Sequence, residues 1–92
     1  MIPVFKPSYG KEEIETVKRT LLSGWVGLGP KTATFEKMFA DYIGVKYAVA
    51  LNSCTAALHL ALKAAGVEGG EVITTPMTFV STNHAILYSN AI

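Results

Sequence analysis

Residues 47–62 constrain the fold more than any other segment, because an apolar stretch passes through a short polar turn into a second apolar stretch. Residues 46–51 are short, apolar and bounded by turn residues, which predicts a strand covered on both faces. Residues 55–65 are apolar nearly all round, which predicts a helix deeply buried in a structure larger than this fragment. The first backbone N–H groups of such a helix lack partners and attract anions. The junction, with Ser53 or Thr55 as its N-cap, is therefore a candidate phosphate site.

Apolar periodicity predicts three further helices and a second strand. The helices cover residues 11–22, residues 31–43, and a segment that begins at Thr78 or Ser81 and ends near Tyr88. The second strand covers residues 71–75. The predicted order is helix, helix, strand, helix, strand, helix. Strand–helix–strand units imply parallel pairing, so we expect an α/β fold whose ligands lie beyond the carboxyl ends of the strands.

Composition excludes several classes of partner. Lys and Arg number 8 against 7 Asp and Glu, so charge gives no argument for binding nucleic acid or an anionic membrane. A single cysteine provides no internal disulfide framework and fits a reducing compartment. No apolar run approaches the roughly 18 residues of a membrane span, and the N-terminus lacks a signal-peptide pattern. We therefore expect a cytoplasmic protein.

Residues 24–30 form a loop that carries three glycines and a proline around Trp25. This composition is typical of an ordered loop rather than of a flexible linker. Glycines let a backbone approach a ligand closely, and an indole offers a broad apolar face. Trp25 either contacts a ligand or fills a gap between helices, and the sequence favours neither.

The histidines and the cysteine are weaker candidates for chemistry. His59 and His84 fall within predicted helices, where a hydrogen-bonded structural role is the more common one. Cys54, at a helix start, is a conceivable nucleophile, but nothing in the sequence brings a histidine to it. One cysteine and two histidines 25 residues apart supply no zinc cluster of ordinary spacing. We expect no metal site.

Four collinear blocks carry a family resemblance. They are residues 23–26 with Gly29 and Pro30, residues 35–45, residues 52–62 and residues 71–79. With these blocks the chain resembles the N-terminal part of the pyridoxal-phosphate-dependent sugar aminotransferases, the DegT/StrS-like group of fold-type I in the aspartate aminotransferase superfamily. The resemblance implies that residues 1–92 form an incomplete part of the large cofactor-binding domain. Gly70 departs from the family, which usually has an aspartate there.

The resemblance also implies site residues. The turn that matches the family's phosphate cradle comprises Ser53, Cys54, Thr55 and Ala56, and Phe79 matches the aromatic residue that stacks on the pyridine ring of the cofactor. The substrate loop corresponds to Gly24, Trp25, Val26 and Gly27. No catalytic residue is expected within this chain, because the family's cofactor-binding lysine and the acidic partner of the pyridinium nitrogen match positions beyond residue 92.

The function implied is transfer of an amino group from an amino acid, with glutamate expected, to a keto sugar that is usually nucleotide-linked. The parent enzyme is expected to be a homodimer, and the fragment alone to be inactive. Two alternatives stay open. One is a related dehydratase that uses the same cofactor with a histidine in place of the lysine, and the other is a non-catalytic binding or assembly module. The predicted chain is also too short to cover its own apolar surfaces, so we expect it to associate with itself or with further protein.

Overall fold

The computed structural model describes residues 2–3 and 5–92, and four helices lie within them. The helices are α1 (Lys11–Leu22), α2 (Pro30–Ile43), α3 (Cys54–Ala64) and α4 (Ser81–Tyr88). The chain divides into two compact units, of which the first ends at Ala48 and holds α1 and α2, and the second runs from Val49 to Ile92 and holds α3 and α4. The helix predictions are confirmed to within one residue at each end, and α4 begins at the second of its two predicted starts.

Residues in the first and last turns of helix α1 stabilise it. The carboxylate of Glu13 accepts a hydrogen bond from the backbone N–H of Gly10 at 2.7 Å, which satisfies one of the unpaired donors before the first turn. This bond holds the pKa of Glu13 below its ordinary value. Glu12 and Glu13 in the first turn and Arg19 in the last complement the helix dipole.

Helix α2 begins at a proline and ends at a glycine. Pro30 occupies the first turn, where its missing N–H costs nothing. Gly44 adopts the left-handed conformation, with φ 79°, and its N–H donates to the carbonyl of Ala40 at 2.9 Å. Val45 donates to the same carbonyl at 3.0 Å. The left-handed residue turns the chain out of the helix and keeps the last carbonyls paired.

Helices α3 and α4 pack against each other and form the core of the second unit. Ala85, Ile86, Ser89 and Ala91 are buried. The hydroxyl of Ser89 donates to the carbonyl of Ala85 at 3.2 Å, and the Ser89 carbonyl accepts from the N–H of Gly69 at 3.0 Å. The buried serine is therefore satisfied at both its hydroxyl and its carbonyl.

Within the described residues helix α3 is not deeply buried, so its burial in a larger structure stays a prediction. None of its residues is fully buried, and Leu60 is 49% exposed. Its remaining faces stay open because α4 is the one helix among the described residues that packs against it. Large apolar side chains elsewhere are exposed too, Ile73 completely. Across the described ranges, no helix has both the length and the hydropathy to cross a membrane.

The two predicted strands, residues 46–51 and 71–75, are not formed, and the described part of the chain contains no β-strand. A strand exists only when a neighbour supplies its hydrogen bonds. One pair of such bonds is present. The N–H of Ile92 donates to the carbonyl of Gly70 at 2.8 Å, and the N–H of Val72 donates to the carbonyl of Ile92 at 2.8 Å. Two bonds that flank Glu71 in this way have the pattern of a parallel pair.

We predict that Gly44→Ala lowers the free energy of unfolding by about 1 kcal/mol, because a Cβ in the left-handed region is strained. No atom of the described residues lies within 4 Å of a Cβ built at Gly44, so the loss is conformational rather than steric. Gly44→Asn is the matched control, since asparagine tolerates this conformation better. Urea denaturation of the protein measures both variants. Equal losses for alanine and asparagine would contradict the conformational explanation.

Candidate functional site

The start of α3 presents two unpaired backbone donors. Ser53 is the N-cap, with extended backbone at φ −154°, and its Oγ accepts a hydrogen bond from the N–H of Ala56 at 3.1 Å. The carbonyl of Ser53 accepts from Ala57 at 3.1 Å. Among the described residues, the N–H groups of Cys54 and Thr55 find no acceptor. These two donors lie at the positive end of the helix dipole.

The side chains of this turn provide hydroxyl groups as further donors beside the two backbone N–H groups. Thr55 makes no side-chain hydrogen bond within the described residues, and Cys54 is exposed. Ser53 uses an oxygen lone pair for the cap, which leaves its O–H free to donate. Ala56 differs from the other three, because its N–H is taken by Ser53. The first turn of α3 carries no acidic residue. The turn is therefore suited to an anion with several oxygen acceptors.

Phe79 lies just before α4, and its backbone is fixed by that helix. Its carbonyl accepts from the N–H of Thr82 at 3.1 Å, and the next carbonyl, of Val80, accepts from His84 at 3.1 Å. Phe79 is 79% exposed, so within this structure it is not a core residue. An exposed aromatic ring on a fixed backbone is available to stack against a planar ligand.

The Trp25 loop is held by hydrogen bonds at both ends, as the prediction of an ordered loop requires. The Ser23 hydroxyl donates to the carbonyl of Thr20 at 2.7 Å and accepts from the N–H of Trp25 at 3.2 Å. The indole Nε1–H of Trp25 donates to the carbonyl of Leu28 at 2.9 Å. Gly24 closes the end of α1 by donating to the carbonyl of Leu21 at 3.1 Å.

A cavity of about 430 Å³ lies beside this loop in the first unit. Its volume is in the range of small-molecule sites. Of the four residues predicted to bind substrate, Trp25, Val26 and Gly27 line the cavity, and Gly24 does not. The sequence reasoning missed other lining residues, which are Thr20, Ser23, Gly29, Pro30, Lys31 and Thr32. The sequence signal for these residues was Lys31, which directly follows a glycine and a proline at the start of α2.

The indole of Trp25 lies directly over Gly29. A Cβ at position 29 would lie 2.8 Å from Cδ1 and 2.9 Å from Cε2 of the indole, and closer still to its Nε1. The backbone of Gly29 is extended, at φ −177°, so the requirement for glycine here is steric. Gly27 is different, since a Cβ built there has no atom of the described part of the chain within 4 Å.

The comparisons with known proteins identify the family. Residues 7–92 match the model of the DegT/DnrJ/EryC1/StrS aminotransferase family. The chain belongs to this family. It is 56% identical over 91 residues to the spore coat polysaccharide biosynthesis protein SpsC of Bacillus subtilis. This match covers 98% of the present chain and 23% of SpsC. The chain spans about a quarter of the length of the curated relatives it matches.

Two solved structures resemble this DegT/StrS-family chain. The aminotransferase from Psychrobacter cryohalolentis has a TM-score of 0.80 at 33% identity, covering 92% of this chain and 22% of that one. The PLP form of Spr1654 from Streptococcus pneumoniae, described as a sugar aminotransferase, has a TM-score of 0.82 at 35% identity, covering 99% of this chain and 24% of that one. The predicted family is confirmed, and pyridoxal phosphate is the cofactor that the family match and the PLP form support. The predicted order of strands is not confirmed.

We predict that Gly29→Ala displaces the indole and lowers the free energy of unfolding by about 1–3 kcal/mol, because the new methyl group overlaps Trp25. The emission of Trp25, identified by its absence in Trp25→Phe, should shift as the bond to Leu28 is lost. Gly27→Ala is the matched control and should leave both quantities near those of the wild type. Identical emission from the two alanine variants would show that the indole does not rest on Gly29.

Proposed function

We propose that the protein transfers an amino group from an amino acid, glutamate in the first instance, to a keto sugar carried on a nucleotide. The observation that carries this proposal is the start of α3 in a chain of the DegT/StrS family. There, two amides without acceptors among the described residues lie in the same turn as a threonine. When bound, pyridoxal phosphate supplies an electron sink that stabilises negative charge beside the amine nitrogen.

The residues at the start of α3 fit the phosphate of this cofactor. The N–H groups of Cys54 and Thr55 and the hydroxyls of Ser53 and Thr55 are donors, and the first turn contains no carboxylate to repel an anion. Backbone donors at a helix N-terminus hold a phosphate without any movement of side chains. Ala56 contributes by keeping the cap bond to Ser53, which fixes the direction of the two amides before it.

Phe79 fits the aromatic part of the cofactor. Its ring is exposed, and the bond between its carbonyl and Thr82 fixes the backbone that carries it. An aromatic side chain orients a planar ring by stacking and excludes water from one of its faces. We assign Phe79 to binding and orientation rather than to proton transfer.

The Trp25 loop is proposed to bind the nucleotide-linked sugar, through the indole, Val26 and the two glycines Gly24 and Gly27. None of residues 1–92 is proposed to bind the cofactor covalently or to move a proton, so a chain restricted to these residues should not transaminate. The complete enzyme is proposed to act as a homodimer in the cytoplasm.

The phosphate cradle is tested by comparing pyridoxal phosphate with pyridoxal, which lacks the phosphate. In the complete protein, Thr55→Val removes one hydroxyl donor and should weaken binding of pyridoxal phosphate by roughly tenfold, since a hydrogen bond to a charged group contributes about 1.5–3 kcal/mol. Binding of pyridoxal should not change. Thr34→Val, at an exposed threonine of α2 that donates to the carbonyl of Pro30, is the control. Equal losses for the two ligands would remove Thr55 from the phosphate site.

The reaction is tested without any sugar. The complete, cofactor-loaded protein mixed with glutamate should release about one equivalent of 2-oxoglutarate per bound cofactor, because the amino group stays on the enzyme until an acceptor arrives. Isotope-labelled glutamate and mass spectrometry measure the product. A protein that binds the cofactor but releases no 2-oxoglutarate would overturn the assignment of glutamate as donor.

A further inference from the structure

The wall of the Trp25 cavity contains a cation that is held by a neutral group. The Lys31 ammonium donates a hydrogen bond to Oγ1 of Thr20, and Thr20 in turn donates its hydroxyl hydrogen to the carbonyl of Thr16 at 2.9 Å. An ammonium has three N–H donors. Two N–H donors of Lys31 therefore remain, and no second acceptor for them is found among the described residues.

Among the described residues, no carboxylate balances the charge of Lys31. Three other lysines of the described residues form ion pairs, Lys18 with Glu15, Lys37 with Asp41, and Lys63 with Glu68. Lys31 is in none of these pairs, and no Asp or Glu lines the cavity. A positive charge held at the edge of a cavity without a counter-charge favours an anionic ligand.

The remaining lining of the cavity is apolar or carries hydroxyl groups. Trp25, Val26 and Pro30 supply apolar surface, while Ser23 and Thr32 supply hydroxyls. The cavity thus combines a flat aromatic wall, weak hydrogen-bonding groups and one cation in about 430 Å³. A ligand that matches all three features carries an anionic group attached to a planar ring.

We propose that Lys31 binds the diphosphate of the nucleotide-linked substrate and that Trp25 supports the base, an inference that rests on the proposed function for the presence of a nucleotide. Thr20 is a positioning residue. Its hydroxyl hydrogen is already donated to Thr16, so its part is to hold the ammonium at the cavity wall rather than to bind the ligand.

The experiment measures the binding of four probes to the complete, cofactor-loaded protein by calorimetry. The probes are UDP, dTDP, inorganic pyrophosphate and uridine. Lys31→Met should weaken binding of pyrophosphate and of the nucleoside diphosphates by roughly tenfold or more, the effect of losing a charge-assisted hydrogen bond. Binding of uridine should not change. Lys18→Met, which removes a lysine paired with Glu15, is the matched control and should leave all four affinities unchanged.

Thr20→Val separates positioning from binding. This variant keeps the Lys31 ammonium but removes the Thr20 hydroxyl that positions it. The affinity for pyrophosphate should therefore fall less than in Lys31→Met, and the dependence of binding on salt should persist. In the complete reaction, both variants should raise KM for the nucleotide-linked sugar with little change in kcat. Thermal unfolding and cofactor content of each variant verify that the fold is retained.

Three results would overturn the inference. One is an equal loss of affinity in Lys31→Met and Lys18→Met, which would indicate that the probes respond to general surface charge. Another is competition between pyrophosphate and the cofactor, which would place the anion at α3. The third is the absence of binding of UDP, dTDP and pyrophosphate alike. Cofactor binding and release of 2-oxoglutarate from glutamate require no nucleotide, so if they persist while Lys31→Met has no effect, this inference fails and the proposed function stands.

Discussion

The hydrogen bond between the N–H of Ala56 and Oγ of Ser53 organises the start of α3, where the cofactor phosphate is proposed to bind. It caps α3, which begins at Cys54, and among the described residues the N–H groups of Cys54 and Thr55 are left without acceptors. A serine at this position caps the helix directly, so the geometry of the donors does not depend on a flexible loop. The pairing of α3 with α4 then supports the same unit that carries Phe79.

The sequence predicted the helices well because their signals are local. Pro30 at the start of α2 and Gly44 at its end depend on backbone preferences that a single residue carries. The predicted strand at residues 46–51 did not form, because a strand depends on hydrogen bonds from a neighbour that the sequence of the strand does not contain. The pair of bonds between Ile92 and residues 70 and 72 shows that parallel pairing arises where a neighbour is present.

The candidate site divides in the same way. Ser53 and Thr55 could be selected from the sequence because a polar turn before an apolar helix is a local pattern. The role of Ser53 as the N-cap, one of two options, needed the structure. Lys31 could not be selected, since its distinction is the identity of its partner. That partner is a threonine 11 residues away, whereas three other lysines of the described residues have carboxylates. The sequence shows charge but not which charges are balanced.

The contact between the indole of Trp25 and Gly29 links two positions that are four apart in the chain. While an indole lies over position 29, any side chain larger than a hydrogen atom there must push it away. A shorter residue at position 25 would remove that restriction. The two positions are therefore expected to vary together among related proteins: glycine at 29 should accompany tryptophan at 25, and other residues should enter position 29 only where the tryptophan has been replaced.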